Sequence, residues 1–206
     1  MKKLFTNFIV FAALSVAFSN FTACSNTAST QKGPVLDNTP TASNTANVNA
    51  NTSTTKTSDY PPVPTGIAQA EIKDVDGNAF KLEDKKGKVV LVNLWATWCG
   101  PCRSEMPELV AMQEKYRDKD FEVLGLDVDE ESIEEIRAFG KEMKLNYTLG
   151  YANEKMVSEF TKLTRQAGIP QSLLINREGQ MTGVFFGAGT SAVNKMKAAV
   201  EKTVNE

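Results

Sequence analysis

Residues 88–102 read Lys88-Val89-Val90-Leu91-Val92-Asn93-Leu94-Trp95-Ala96-Thr97-Trp98-Cys99-Gly100-Pro101-Cys102. The first eight form a nearly continuous apolar run, the mark of a central strand covered on both faces. A helix is predicted to follow over residues 101–116. Two cysteines separated by two residues at a helix start lie on one face, close enough to form a disulfide. Cys99 then sits at the cap, where unpaired backbone N–H groups and the helix dipole favour its thiolate. Cys102 sits one turn inside, more buried and slower to release its proton. Dithiol–disulfide exchange needs that asymmetry, one thiolate to attack and one thiol held back to resolve. Pro101 suits the first turn, where its missing N–H has no partner anyway.

A bare pair of cysteines at this spacing also occurs in metal knuckles and structural disulfides. The chain has no histidine and only three cysteines, Cys24, Cys99 and Cys102, so a four-cysteine zinc site is excluded. Arg103 stands where a c-type haem attachment needs histidine. A purely structural disulfide would close so small a loop that it adds little stability. The missing histidine also excludes Ser–His and Cys–His nucleophile pairs. No metal or cofactor is expected.

The whole chain is 206 residues with a formal net charge of −2. That balance offers no clustered cations for phosphates, so nucleic acid is not an expected partner. Lys2 and Lys3 precede an apolar run over residues 8–18, too short to span a bilayer but suited to a signal-peptide core. Phe21-Thr22-Ala23-Cys24 then resembles the lipobox of bacterial lipoproteins, with Phe21 where leucine is usual. That resemblance implies a signal peptide over residues 1–23 and lipidation of Cys24. An ordinary cleaved signal with a free cysteine nearby is the alternative, and either way the protein is exported. Over residues 25–58, 20 of 34 side chains are Ser, Thr or Asn, too few apolar groups to form a core. Residues 24–66 are therefore expected to be a flexible tether, stiffened at its end by Tyr60-Pro61-Pro62-Val63-Pro64.

The remaining residues 67–206 suffice for one core. Residues 71–75 and 79–82 predict a hairpin around Asp76-Gly77. Residues 121–127 predict a second buried strand. Asp129 is the expected cap of a helix whose apolar positions are Ile133, Ile136, Phe139 and Met143. Residues 145–168 suggest a short strand near 147–149 and a helix from Glu154. Residues 172–175 and 181–186 suggest a late hairpin, and a last helix begins near Ser191, burying Val193, Met196, Val200 and Val204. Strands alternating with helices and closing on a hairpin predict an α/β sandwich with a mixed sheet. Asp127, Asp129, Glu130, Glu131, Glu134 and Glu135 read either as a cation site or, preferably, as a solvated helix start.

Trp98-Cys99-Gly100-Pro101-Cys102 after that strand resembles the thioredoxin active site, and the likeness extends over most of the folded region. More narrowly, the chain resembles the membrane-anchored TlpA/ResA group. The N-terminal hairpin, the insertion in the second half at residues 145–168 and Arg103-Ser104-Glu105-Met106-Pro107 carry that likeness. It implies a thioredoxin-like three-layer sandwich. Ile169-Pro170 falls where that fold places a cis-proline beside the cysteines, so Pro170 would shape the groove for the substrate backbone. An ordinary loop proline is the alternative. Cytosolic thioredoxins carry a buried Asp six residues before the first cysteine, and here that position is Asn93, which cannot take a proton. Glu105 follows Cys99 and Cys102 at successive i, i+3 positions on the same side of the helix. Two uses are open to it: proton exchange with Cys102 as a partly buried carboxylate, or a surface salt bridge. Gln171-Ser172 replaces the Thr that relatives often have after the proline.

The leading expectation is an exported thiol–disulfide oxidoreductase, lipid-anchored to a membrane and facing the periplasm or cell exterior. Family resemblance implies disulfide-bearing exported proteins as substrates, cytochrome c maturation as a setting, and an upstream membrane thiol as electron donor. A peroxiredoxin-like peroxidase and a Sco-like copper-delivery lipoprotein are the competing classes. The Cys-Gly-Pro-Cys pair argues against the first. The second calls for three residues between the cysteines and a distant histidine.

Overall fold

The computed structural model describes residues 59–206, Glu130 excepted. The expected signal peptide over residues 1–23, Cys24 and the Ser/Thr/Asn-rich tract up to residue 58 lie outside the described residues. In chain order the elements are α1 (Thr65–Ala68), β1 (Glu71–Lys73), β2 (Ala79–Lys81), β3 (Val89–Trp95), α2 (Gly100–Tyr116), β4 (Phe121–Asp127) and α3 (Ile133–Glu142). There follow β5 (Thr148–Tyr151), α4 (Glu154–Thr164), β6 (Gln171–Ile175), β7 (Met181–Phe186) and α5 (Thr190–Asn205).

Five strands form a mixed sheet in the order β5-β4-β3-β6-β7. β3 pairs parallel with β4 and antiparallel with β6, so the apolar run of the sequence lies at the centre. Every residue of β3 is buried, as a strand covered on both faces requires. Side chains alternate between faces. Val89 and Leu91 pack under α2 and α5, with Leu109, Met112, Met196 and Val200. Val90, Val92 and Leu94 meet the opposite layer, built from Ile67 of α1, Ile72 of β1, and Met156 and Phe160 of α4. Trp95 ends the strand stacked on Phe139 of α3, ring centroids 5.0 Å apart. The result is the expected three-layer sandwich.

The hairpin β1–β2 is a separate antiparallel pair. Gly77 carries its turn at φ +89°, and Asp74 accepts the backbone N–H groups of Asp76 and Asn78. It docks on the inserted segment, where the Val75 N–H donates to the Leu149 carbonyl at 3.0 Å. A Cβ on Gly150 would lie 2.8 Å from the Lys73 carbonyl oxygen, so only glycine admits this approach. Packing also starts upstream of residue 67. Val63 is buried, and the Met181 N–H donates to the Pro61 carbonyl, so the proline stretch is part of the sheet's margin.

Ser132, not Asp129, caps α3: its side chain accepts from Glu135 N, and the Glu135 carboxylate accepts from the Ser132 N–H. This reciprocal pair satisfies two helix-end donors at once. Nor is the acidic cluster wholly solvated. Asp127 is fully buried at the end of β4. Among the described residues, no group of three or more Cys, Asp or Glu is placed to hold a metal ion.

Candidate active site

The turn from β3 into α2 makes Cys99 the N-cap, and its Sγ accepts the Cys102 backbone N–H at 3.2 Å. That bond occupies one of the helix-start donors that would otherwise lack a partner. Cys99 and Cys102 are joined in a disulfide, S–S 2.00 Å, with Cα atoms 5.3 Å apart. Both are buried in this oxidised form, so the expected contrast in burial is small: Cys99 is 3 % exposed and Cys102 is 0 %. The exposed collar around them is Trp98, Gly100 and Pro101, with Trp98 68 % exposed.

Across the collar, the Ile169–Pro170 peptide is cis, and Ile169 packs against the cluster that contains both cysteines. Gln171 holds this corner in place. Its buried amide donates to the Gly168 carbonyl at 2.6 Å and accepts the Thr164 hydroxyl at 2.9 Å, fastening the end of α4 to the turn before Pro170.

Behind the disulfide, Glu105 lies one helical turn beyond Cys102 and is 2 % exposed, with no ion pair. This overturns the surface salt-bridge alternative. Burial pushes its carboxyl up to about 7, although the Asn93 amide, donating to Oε1 at 2.7 Å, pulls the other way. Asn93 also donates to the Ser172 hydroxyl at 3.0 Å. Ser172, left without a role by the sequence, thus fixes the rotamer of Asn93. A carboxyl held near neutrality one turn from a cysteine is suited to exchange a proton with it.

The active-site turn is also tied down from the side. The Thr97 hydroxyl donates to Glu131 and the Trp98 indole N–H donates to Asp129. Arg103 lies over the Phe139 ring at 5.1 Å and pairs with Glu142 at 3.0 Å. Beneath this loop, burial pushes Asp127 up to about 7, while its carboxylate accepts the Asp129 N–H at 2.9 Å. The sequence marks Asn93 as the replacement for a buried Asp and Asp127 as a member of an acidic cluster; their partners come from packing.

A thioredoxin-like α/β fold with a Cys-Gly-Pro-Cys disulfide at the strand-to-helix turn defines the class of this protein. The match to solved structures covers nearly all of those chains. A thiol:disulfide interchange protein of the thioredoxin family from Chlorobium tepidum TLS is 28% identical with TM-score 0.58, over 71% of this chain and 98% of that one. One from Bacteroides sp. is 26% identical with TM-score 0.56, over 71% and 90%. The chain belongs to the AhpC/TSA family, whose model matches residues 64–184. In sequence it is similar to thiol-disulfide oxidoreductase ResA of Bacillus cereus, 34% identical over 122 residues. The match spans 58% of this chain and 66% of that relative's length.

Proposed function

We propose that this protein is a thiol–disulfide oxidoreductase that reduces disulfides of exported proteins. The observation that carries this is the Cys99–Cys102 disulfide, capped on a helix start and backed by the buried carboxyl of Glu105. In the reduced protein, the Cys99 thiolate attacks a substrate disulfide and expels one substrate thiolate, leaving a mixed disulfide. Ionised Glu105 takes the proton of Cys102. The Cys102 thiolate then attacks Cys99 Sγ, the second substrate thiolate leaves and takes up a proton, and the protein returns to its disulfide. Two electrons and two protons from an upstream membrane dithiol reset it. The exposed ring of Trp98 and the Ile169–Pro170 corner flank the disulfide and are suited to receive the substrate backbone.

The setting follows from the N-terminal sequence. Cys24 would carry the lipid, residues 24–58 would give reach, and the folded unit would work on the periplasmic or outer face, cytochrome c maturation being one use. Uptake of labelled fatty acid by the wild type but not by Cys24→Ser tests the anchor. The chemistry is tested by insulin-disulfide reduction under dithiothreitol, with peroxide consumption and Cu(I) titration alongside. Insulin reduction that is lost in Cys99→Ser supports the proposal. Peroxide turnover or stoichiometric Cu(I) binding without insulin reduction would overturn it.

A further inference from the structure

Resting on Glu105 as the base for Cys102, the chamber behind the disulfide holds one more group. Four buried side-chain atoms there lack a hydrogen-bond partner: Asn93 Oδ1, Trp95 Nε1, Glu105 Oε2 and Tyr147 Oη. Their common place follows from the strand register. Asn93 and Trp95 share a face of β3, and Asn93 lies opposite Gly125 of β4. A Cβ on Gly125 would meet Tyr147 Cε2 at 2.9 Å and Trp95 Nε1 at 3.2 Å. The missing side chain at Gly125 is thus what lets the Tyr147 ring lie over the sheet beside Trp95, on the face of β3 from which Asn93 reaches Glu105 of α2.

A carboxylate ionising in such a place needs donors, because a buried charge with one hydrogen bond is costly. Both amide hydrogens of Asn93 are already placed, one on Glu105 Oε1 and one toward Ser172. Asn93 Oδ1 is an acceptor and serves only the protonated carboxyl. The Tyr147 hydroxyl can serve both states, accepting from the acid and donating to the carboxylate. It stays protonated in the working range, since burial first, and then the Glu105 charge, push its pKa up. Of the other groups on the elements packed here, Cys102 lies on the helix of Glu105, Ser172 on β6 is held by Asn93, and Asp127 lies two residues along β4 from Gly125. Arg103 is engaged with Glu142.

We propose that Tyr147 is a positioning residue for Glu105, its hydroxyl donating to Oε2 when the carboxyl ionises. It acts through Glu105 and touches no substrate.

The test is the pH dependence of mixed-disulfide resolution in wild type, Tyr147→Phe and Glu105→Gln. Tyr147→Phe keeps the ring over Gly125 and removes only the donor. Its acid limb should move up by about one pH unit, with the rate near pH 6 falling about tenfold and the alkaline plateau unchanged. The Glu105 carboxyl, followed by infrared difference spectroscopy in the oxidised protein, should titrate higher by the same amount. Unmoved profiles and titration in Tyr147→Phe, with a flattened profile in Glu105→Gln, would overturn the role of Tyr147 alone. A Glu105→Gln profile like that of the wild type would overturn the base itself, and the Tyr147 role with it. A shift in Trp95→Phe but not in Tyr147→Phe would assign the donor to Trp95 and also overturn the proposal.

Discussion

The Asn93 side-chain amide donates to Glu105 at 2.7 Å and to Ser172 at 3.0 Å, so one residue of the central strand ties α2 to β6 behind the disulfide. The position that carries a titratable Asp in cytosolic thioredoxins here carries a fixed amide. The titratable group has moved to the helix, one turn from Cys102. Asn93 Oδ1 and Glu105 Oε2 are both buried acceptors without a donor. A proton on Glu105 supplies one, which favours the neutral acid in addition to the burial that already raises its pKa.

Glu105→Gln keeps volume and the acceptor for Asn93 but cannot take a proton. The rate at which Cys102 resolves the mixed disulfide should lose its rise through pH about 7, the value to which burial lifts Glu105. At pH 8 the variant should be slower by about 10²-fold, the low end for general-base catalysis. Stopped-flow measurement with a thionitrobenzoate-labelled Cys99 reads this step directly. Superimposed profiles would remove Glu105 from the mechanism.

The same carboxyl has a stability consequence of definite sign. Its folded pKa, about 7, lies above the ordinary value of 4.5. The folded state therefore holds a proton that the unfolded chain has released between these values. The stabilisation is complete below about pH 4.5 and is lost as pH rises to about 7, with about 3 kcal/mol at stake. Buried Asp127, raised from 3.8 to about 7, acts in the same direction. Asp74 and Glu135, whose pKa values are lowered, act oppositely, so the difference between proteins is the informative quantity. In urea unfolding of the oxidised proteins, Glu105→Gln should lose less stability than the wild type between pH 5 and pH 8. Parallel curves would contradict the assignment.

The strands and helices were legible because their signals are local. The run from Val89 to Trp95 and the spacing of Val193, Met196, Val200 and Val204 each announce burial by composition and period. The capping box of α3 was also in the sequence, as Ser132 and Glu135 three apart, but Asp129 offered an earlier acceptor. What diverted Asp129 is tertiary: the loop after β4 swings under the active-site turn, and Asp129 is taken by the Trp98 indole. Asn93 and Glu105 could each be singled out as chemically interesting, yet their bond depends on how α2 lies across β3. Tyr147 carried a strand signal but none for a place behind the disulfide. Its place is set by the register of β4 against β5 and by the absence of a side chain at Gly125, neither of which a local window contains.

Gly125 therefore carries a structural prediction of its own. A methyl group there would stand 2.9 Å from the Tyr147 ring and 3.2 Å from Leu149 Cδ2, inside a packed core where neighbours have little room to yield. Gly125→Ala should cost about 1–3 kcal/mol, typical of overpacking. Chemical denaturation of wild type and variant at one pH measures it. A variant as stable as the wild type would show that the chamber is looser than its geometry.

The two cysteines should behave differently when separated. Cys99 caps α2, where the helix-start N–H groups that Sγ already engages stabilise a thiolate. It also borders the exposed collar of Trp98, Gly100 and Pro101. Cys102 lies inside, fully buried, on the side of Glu105. Attack on an outside disulfide therefore belongs to Cys99 and resolution to Cys102. In Cys102→Ala the mixed disulfide has no thiol to release it, so covalent complexes with substrate proteins should accumulate through Cys99. In Cys99→Ala the remaining thiol is shielded, and few or no complexes should form, although both variants lose turnover. Non-reducing gels followed by mass spectrometry of the trapped bands read the outcome and name the substrates. Complexes held by Cys102 in the Cys99→Ala protein, at levels matching or exceeding the converse, would reverse the assignment of nucleophile and resolver.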